Sequence, residues 1–204
     1  MGFDDNVFVN CPYDDQYLEL LRPLLFTLLF ARLNPRLASE RLNSGEARIN
    51  KIIELIGDSK YAIHDLSRIR AKRAGEYFRL NMPFELGLDV GCSSFGSDNL
   101  RDKRCLVLEK EPYRYQVALS DLSNSDIAAH KNVPAKLVTV LRNWLVNDIG
   151  IDLPGPAALM DAFTVFMGEN YDALIAKGFA EKEIPNLPIP ELMRYMRDWV
   201  ASNT

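Results

Sequence analysis

Cysteine is scarce in this sequence, which has only Cys11, Cys92 and Cys105 in 204 residues. Three widely spaced cysteines do not form the even-numbered framework of a small disulfide-rich secreted protein. No two of them are close enough along the chain to resemble a zinc knuckle. We therefore expect reduced, mostly buried thiols, with neither a disulfide nor a metal site. Nothing in the sequence calls for a cofactor.

Long apolar runs are also missing. The longest, Leu20 to Leu33, is interrupted by Arg22, Pro23 and Arg32 and is too short to cross a bilayer. The first six residues, MGFDDN, lack the basic and then apolar pattern of a secretory signal. These absences favour a cytoplasmic protein with no membrane partner.

The chain has no large excess of either charge, because its formal net charge is −4. No sustained basic stripe with interleaved aromatic residues occurs, so polymeric nucleic acid is not an expected partner. The local cluster of Arg68, Arg70, Lys72 and Arg73 fits a solvated loop as well as a binding loop. The composition, 48% hydrophobic and 25% charged, is typical of a folded globular protein.

Short apolar runs alternate with helical periodicity over the first 150 residues. The runs that indicate strands are Val7–Val9, Pro35–Ser39, Tyr61–Ser67 and Cys105–Leu108. The alternation predicts an α/β fold, flavodoxin-like or Rossmann-like, with a parallel sheet of four or five strands covered by helices on both faces. The Pro154-Gly155-Pro156 sequence indicates a boundary. We expect residues 1–150 to form the α/β domain and residues 151–204 a helical extension, packed on it or on a second subunit.

Two of the predicted helices carry specific expectations. The first is expected to begin near Leu21, with Pro23 tolerated in its first turn. The next spans Arg48–Gly57, and its apolar face is expected to lie on the sheet through Ile49, Ile52, Ile53 and Ile56.

Polar side chains follow each predicted strand. In order along the chain they are Asn10, then Ser39 and Glu40, then Asp65 and Ser67, then Glu109. In an open parallel sheet, ligands bind beyond the carboxyl ends of the strands, where loops and helix N-termini converge. We expect these groups to share one rim.

Glu85 lies in the first turn and a half of a helix predicted to begin near Asn81. Unpaired amides and the helix dipole should keep it ionised at neutral pH. A fixed carboxylate near a second one, Asp65, suits cleavage at an anomeric carbon. One carboxylate attacks or stabilises the cationic centre, and the other orients sugar hydroxyls or handles protons. In the alternative interpretation, Glu85 and Asn81 cap the helix and Asp65 forms a turn.

The remaining candidates are weaker. Ser44 and Arg48 flank a helix start and could meet a phosphate there, or could simply face water. His64 should point to the opposite side of its strand from Asp65 and is expected to be a packed residue. His130 precedes a predicted helix, and the sequence shows no partner for it.

The stretch from Tyr61 to Asp89, with its strand end IHDLS and its helix start NMPFELGLD, resembles the nucleoside 2-deoxyribosyltransferase-like superfamily and its TIR-like relatives. The resemblance extends over residues 6–110. It implies that Glu85 is the nucleophile and that Asp65 binds the sugar or handles a proton. It also implies that the loop from Asn10 through Pro12 to Tyr13 touches the nucleotide.

The resemblance implies an N-glycosidase, or a base-exchanging transferase, that acts on a nucleoside, a nucleotide or NAD. It also suggests a role as an effector of bacterial antiphage defence. The implied catalytic residues are Glu85 and Asp65, and the expected substrate-binding residues are Asn10, Pro12, Tyr13, Ser44, Arg48, Ser67 and Asn81. One alternative is a non-catalytic nucleotide-binding sensor or signalling module. Another is an interaction domain that associates through its helices, as in a homo-oligomer.

Overall fold

The computed structural model describes residues 2–40, 45–69, 71, 73, 75, 80–117, 119–122 and 127–204. Within these ranges, no helix combines the length and the apolar character that crossing a membrane requires. Arg70 and Lys72 of the basic cluster lie outside the described residues.

In the described part of the chain, five strands form a single sheet in which all neighbouring pairs are parallel. They are β1 (Asn6–Asn10), β2 (Asn34–Arg36), β3 (Tyr61–Asp65), β4 (Arg104–Glu109) and β5 (Ile127–Ala129). Their spatial order is β2-β1-β3-β4-β5, the flavodoxin-like order. Every residue of β1 and β3 is buried, as expected for central strands covered on both faces. The predicted α/β class and strand number are confirmed.

Among the residues that the structure describes, seven helices accompany the sheet. They are α1 (Leu18–Phe30), α2 (Arg48–Gly57), α3 (Asn81–Phe95), α4 (Asp98–Arg101), α5 (Pro134–Trp144), α6 (Pro156–Ala176) and α7 (Ile189–Asn203). A π-helical turn over Leu145–Ile149 extends α5 and ends at Gly150, whose φ of 85° suits glycine. Short 3-10 helices occupy Phe3–Asp5, Ala38–Glu40, Arg114–Val117, Ser120–Leu122 and Ile184–Asn186.

The expected start of α1 was wrong. The helix begins at Leu18 rather than near Leu21, so Pro23 lies inside it and not in its first turn. The Asp14 carboxylate accepts a hydrogen bond from the Tyr17 amide at 3.0 Å and helps to start the helix early. An interior proline costs about 3 kcal/mol. Burial of Leu21, Leu24, Leu25 and Leu28 on this helix outweighs that cost.

Two further expectations near the β2 edge were wrong. β2 ends at Arg36, and Ser39 lies in the 3-10 helix that follows it, because the strand containing Pro35 is a short edge strand. On α2, Ile49 and Ile53 are exposed instead of facing the sheet. The buried residues of α2 are Lys51, Ile52, Leu55 and Ile56, so the sheet-facing side of the helix passes through Leu55.

The C-terminal helices pack on the α/β core. The Phe26 ring of α1 lies 5.6 Å from the Phe166 ring of α6 and 5.7 Å from the Trp199 ring of α7. Met196 is fully buried within the same hydrophobic cluster as the side chains of β1. Residues 156–203 therefore complete one shared core.

The three thiols are unpaired. Cys11 is buried, Cys92 is half-buried and Cys105 is exposed, so the expectation of mostly buried thiols holds fully only for Cys11. Burial and the nearby carboxylates of Asp65 and Glu85 raise the pKa of the Cys11 thiol. Cys11 is therefore a neutral thiol at neutral pH and a poor nucleophile.

Candidate functional site

A cleft of about 650 Å³ opens at the carboxyl end of β1. β1 is flanked by β2 on one side and β3 on the other, so the connections diverge here and create the topological switch point of the sheet. The described lining residues are Phe8, Val9, Asn10, Cys11, Tyr13, Ala38, Arg48, Leu80, Asn81, Met82 and Glu85. The cleft thus lies where the fold class places ligands.

The structure brings together many of the residues that the sequence singled out. Asn10, Tyr13, Arg48, Asn81 and Glu85 all line this cleft. Three others, Pro12, Asp65 and Ser67, are not among its described lining residues. Ser44 lies outside the residues that the structure describes.

Glu85 is the only carboxylate among the described lining residues and is 5% exposed. Burial raises its pKa from 4.5 to about 7, although the Arg48 charge lowers it. The expectation that Glu85 is fully ionised at neutral pH was therefore wrong. Because α3 begins at Asn81, Glu85 is its fifth residue and lies past the unpaired amides of the helix start. A carboxyl group with this pKa can exchange protons near neutral pH.

Arg48 is the only cation among the described lining residues. It is the first residue of α2. Its side chain is exposed, and the preceding Ala47 provides no side-chain cap for the helix amides. An exposed guanidinium beside uncapped amides suits an anionic ligand group such as phosphate.

Replacement of Arg48 by methionine is expected to raise the pKa of Glu85 further, because the variant loses the one charge that lowers it. Nuclear magnetic resonance of ¹³C-labelled glutamate side chains measures the titration midpoint directly. Arg101→Met is a matched control, because Arg101 is exposed and lies on α4. An unchanged midpoint in Arg48→Met would show that the two side chains do not interact.

Asp65 ends β3 and its side chain is completely buried. Its Oδ2 accepts a hydrogen bond from the Tyr17 hydroxyl at 2.6 Å and lies 3.1 Å from His130 Nε2, while its Oδ1 accepts one from the Ser67 amide at 2.8 Å. Burial alone would raise the pKa of Asp65, but these partners lower it below its ordinary value. Asp65 is thus an ionised centre of a buried network and also forms the turn that the alternative interpretation proposed.

His130 has a partner, contrary to expectation. It follows β5 and is fully buried, with Nε2 facing Asp65 and Nδ1 accepting a hydrogen bond from the Asn132 amide at 3.0 Å. The acceptor role of Nδ1 places the hydrogen of a neutral ring on Nε2, toward Asp65. No local sequence pattern predicts the contact between His130 and Asp65, because it depends on β5 lying two strands from β3.

A second buried polar group lies behind Asn10. As expected, His64 is a packed residue, and its ring contacts Asn10 on one side and Asp89 of α3 on the other. Asp89 also pairs with the Lys103 ammonium at 3.1 Å. Sequence reasoning missed Asp89 and Lys103. The available signal was the spacing of Asp89, four residues after Glu85 and so on the same helix face.

Comparisons with protein-family models, curated proteins and solved structures found no match to the chain.

Proposed function

We propose that the protein cleaves the N-glycosidic bond of a nucleoside, a nucleotide or NAD, by hydrolysis or base exchange. The observation that carries this proposal is that one buried carboxyl group, Glu85, and one cation, Arg48, line the same cleft at the switch point of the sheet. The resemblance to nucleoside 2-deoxyribosyltransferase-like proteins supports the same assignment.

In the proposed reaction, the bond between the anomeric carbon and the base nitrogen breaks, and its electron pair leaves with the base. Positive charge then develops on the anomeric carbon and the ring oxygen. Ionised Glu85 attacks this carbon or stabilises its charge. In hydrolysis, water supplies the hydroxyl for the sugar, and its remaining proton goes to the base, or to solvent when neutral nicotinamide leaves NAD. In base exchange, the nitrogen of a second base forms the new bond and gives up its proton to the departing base, or to solvent when neutral nicotinamide leaves NAD.

In this proposal, the other cleft residues bind different parts of the ligand. The exposed Arg48 binds a phosphate at the start of α2. The partly exposed ring of Tyr13 offers a face on which a base can stack. Asn10 and Asn81 lie at the end of β1 and the start of α3, where they can bind sugar hydroxyls.

Asp65 takes a different role from the one the resemblance implies. Its oxygens are occupied by Tyr17, Ser67 and His130, and its side chain has no exposed surface. We assign it to holding the start of α1, the end of β3 and the segment after β5 together, rather than to contact with the sugar.

The enclosure of Asp65 also favours a second candidate function. With one carboxylate left among the described lining residues, the cleft could bind a nucleotide without cleaving it, as a sensor or signalling module does.

Chromatography of released base separates the two functions. Purified protein is incubated with NAD and with a panel of nucleosides and nucleotides, and the same ligands are titrated calorimetrically. We expect free base from at least one of them. A silent panel together with tight binding would instead support the sensor. If an enzyme is confirmed, loss of NAD or of a nucleotide pool would explain the implied role in antiphage defence.

A further inference from the structure

The side-chain amide of Asn10 has a fixed orientation at the wall of the cleft. Its Nδ2 donates a hydrogen bond to the Met82 carbonyl oxygen at 3.0 Å and lies 2.9 Å from His64 Nδ1. A carbonyl oxygen can only accept, so the amide nitrogen must be on that side. Both Nδ2 hydrogens are then used. Asn10 Oδ1 makes no hydrogen bond with any described residue, which leaves an acceptor at a residue that lines the cleft.

His64 accepts a hydrogen bond from Asn10 and so helps to fix the orientation of the Asn10 amide. Because Nδ1 faces the Nδ2 donor of Asn10, Nδ1 is the acceptor and the ring is neutral with its hydrogen on Nε2. That hydrogen points at Asp89 Oδ2, 3.3 Å away. The edge-on contact between the Phe8 and His64 rings, with centroids 5.8 Å apart, fixes the ring plane. His64 is completely enclosed, so water cannot replace these partners.

Lys103 completes this group. Its ammonium lies 3.1 Å from Asp89 Oδ1 and also donates hydrogen bonds to the carbonyl oxygens of Ile56 and Ser59. Although burial raises the pKa of Asp89, His64 and Lys103 lower it below its ordinary value. Ligand atoms of His64, Asp89 and Cys105 lie within 4.8 Å of one another, a spacing that a metal ion could use. Lys103 already neutralises Asp89, so a metal is not needed to explain the cluster.

We propose that Asp89 and His64 are positioning residues that hold the Asn10 carbonyl oxygen toward the cleft, where it accepts a hydrogen bond from a sugar hydroxyl of the ligand. This inference depends on the proposed function. An acceptor at this point disfavours phosphate, which has no hydrogen to donate when ionised. The sugar therefore lies at Asn10, and the phosphate lies at Arg48.

The histidine tautomer tests the positioning group without any ligand. The chain has only two histidines, so ¹⁵N magnetic resonance of labelled protein, with His130→Gln for assignment, can identify the signals of His64. We expect a neutral His64 ring protonated on Nε2, and we expect Asp89→Asn to lose this fixed state. A ring protonated on Nδ1 would overturn the inference, because it could not accept from Asn10.

Ligand discrimination tests the role of Asn10. Binding is measured by calorimetry in the Glu85→Gln background, using a ribonucleoside and analogues that each lack one hydroxyl. We expect loss of one particular hydroxyl to weaken binding about 10- to 100-fold. The measured ratio is the affinity for the ribonucleoside divided by the affinity for the analogue that lacks this hydroxyl. Asn10→Leu and His64→Leu should each reduce this ratio to below about threefold, and the double variant should reduce it no further. Asn143→Ala should keep the ratio, because Asn143 is an exposed residue of α5 that is not among the described lining residues of the cleft.

The outcomes distinguish this inference from the proposed function. Unchanged discrimination in folded His64→Leu protein would overturn the inference alone. If His64→Leu does not fold, Asp89→Asn takes its place, with the same criterion. No binding of any nucleoside or nucleotide would overturn the proposed function and the sugar contact with it, while the tautomer would still decide whether Asp89 and His64 orient Asn10.

Discussion

Replacement of Glu85 by glutamine is expected to lower the rate of base release by at least about 10³-fold while ligand affinity changes only a few-fold. Glutamine has nearly the same shape but can neither attack the anomeric carbon nor balance its positive charge. The lost interaction is one made mainly in the transition state, so the loss falls on turnover rather than on binding. Single-turnover chromatography gives the rate, and calorimetry gives the affinity.

Glu181→Gln is the matched control for this experiment, because Glu181 is exposed and lies in the turn between α6 and α7. It should behave as the wild type. A Glu85→Gln variant that retains full turnover would show that Glu85 only contributes to the wall of the cleft.

The same substitution should change how stability depends on pH. Because the folded protein raises the pKa of Glu85 from 4.5 to about 7, the folded state holds this proton between those values while the unfolded state loses it. The free energy of unfolding therefore falls as pH rises through this window, by about 3 kcal/mol in all. Glu85→Gln should abolish this contribution and be more stable than wild type at pH 8. Urea denaturation at pH 5 and pH 8 measures the difference.

Replacement of Asp65 by asparagine is expected to reduce the free energy of unfolding by about 3 to 5 kcal/mol. Two groups donate hydrogen bonds to the Asp65 carboxylate, namely the Tyr17 hydroxyl and the Ser67 amide, and His130 Nε2 lies 3.1 Å from Oδ2. An asparagine amide would turn an NH₂ group toward at least one of them, in a site that water cannot reach. Urea denaturation at neutral pH measures the loss.

Asp98→Asn is the control for this substitution, because the Asp98 side chain is fully exposed. It should change stability by less than about 0.5 kcal/mol. A folded Asp65→Asn variant with wild-type stability but no turnover would contradict the structural role and restore Asp65 as a group that acts on the ligand.

The fold could be predicted from the sequence where its signals were local. The buried runs of β1 and β3 and the predicted span of α2 each occur within one segment. The start of α1 could not be predicted, because the penalty at Pro23 is local while the compensating burial comes from α5, α6 and α7 packed around it. The exposure of Ile53 likewise depends on the angle at which α2 meets the sheet.

In the candidate site, too, only the features with a local signal in the sequence could be predicted. Asn10 and Glu85 follow from the rule that ligand groups gather at strand ends and helix starts. The enclosure of Asp65 was not predictable, because its partners Tyr17 and His130 lie 48 and 65 positions away along the chain. The raised pKa of Glu85 was not predictable for the same reason. Distant segments bury Glu85, and this burial affects its pKa more than the nearby helix start, which could be identified from the sequence.

The pH dependence of kcat/KM for base release tests the central claim most directly, because it reports the pKa of the acting group in the free enzyme. If ionised Glu85 breaks the bond, kcat/KM should rise with pH, with a midpoint near 7, and then level off. In Arg48→Met the midpoint should move upward. A wild-type profile that stays flat from pH 5 to pH 9, or a midpoint that Arg48→Met leaves unmoved, would contradict the assignment of Glu85 as the carboxylate that acts at the anomeric carbon.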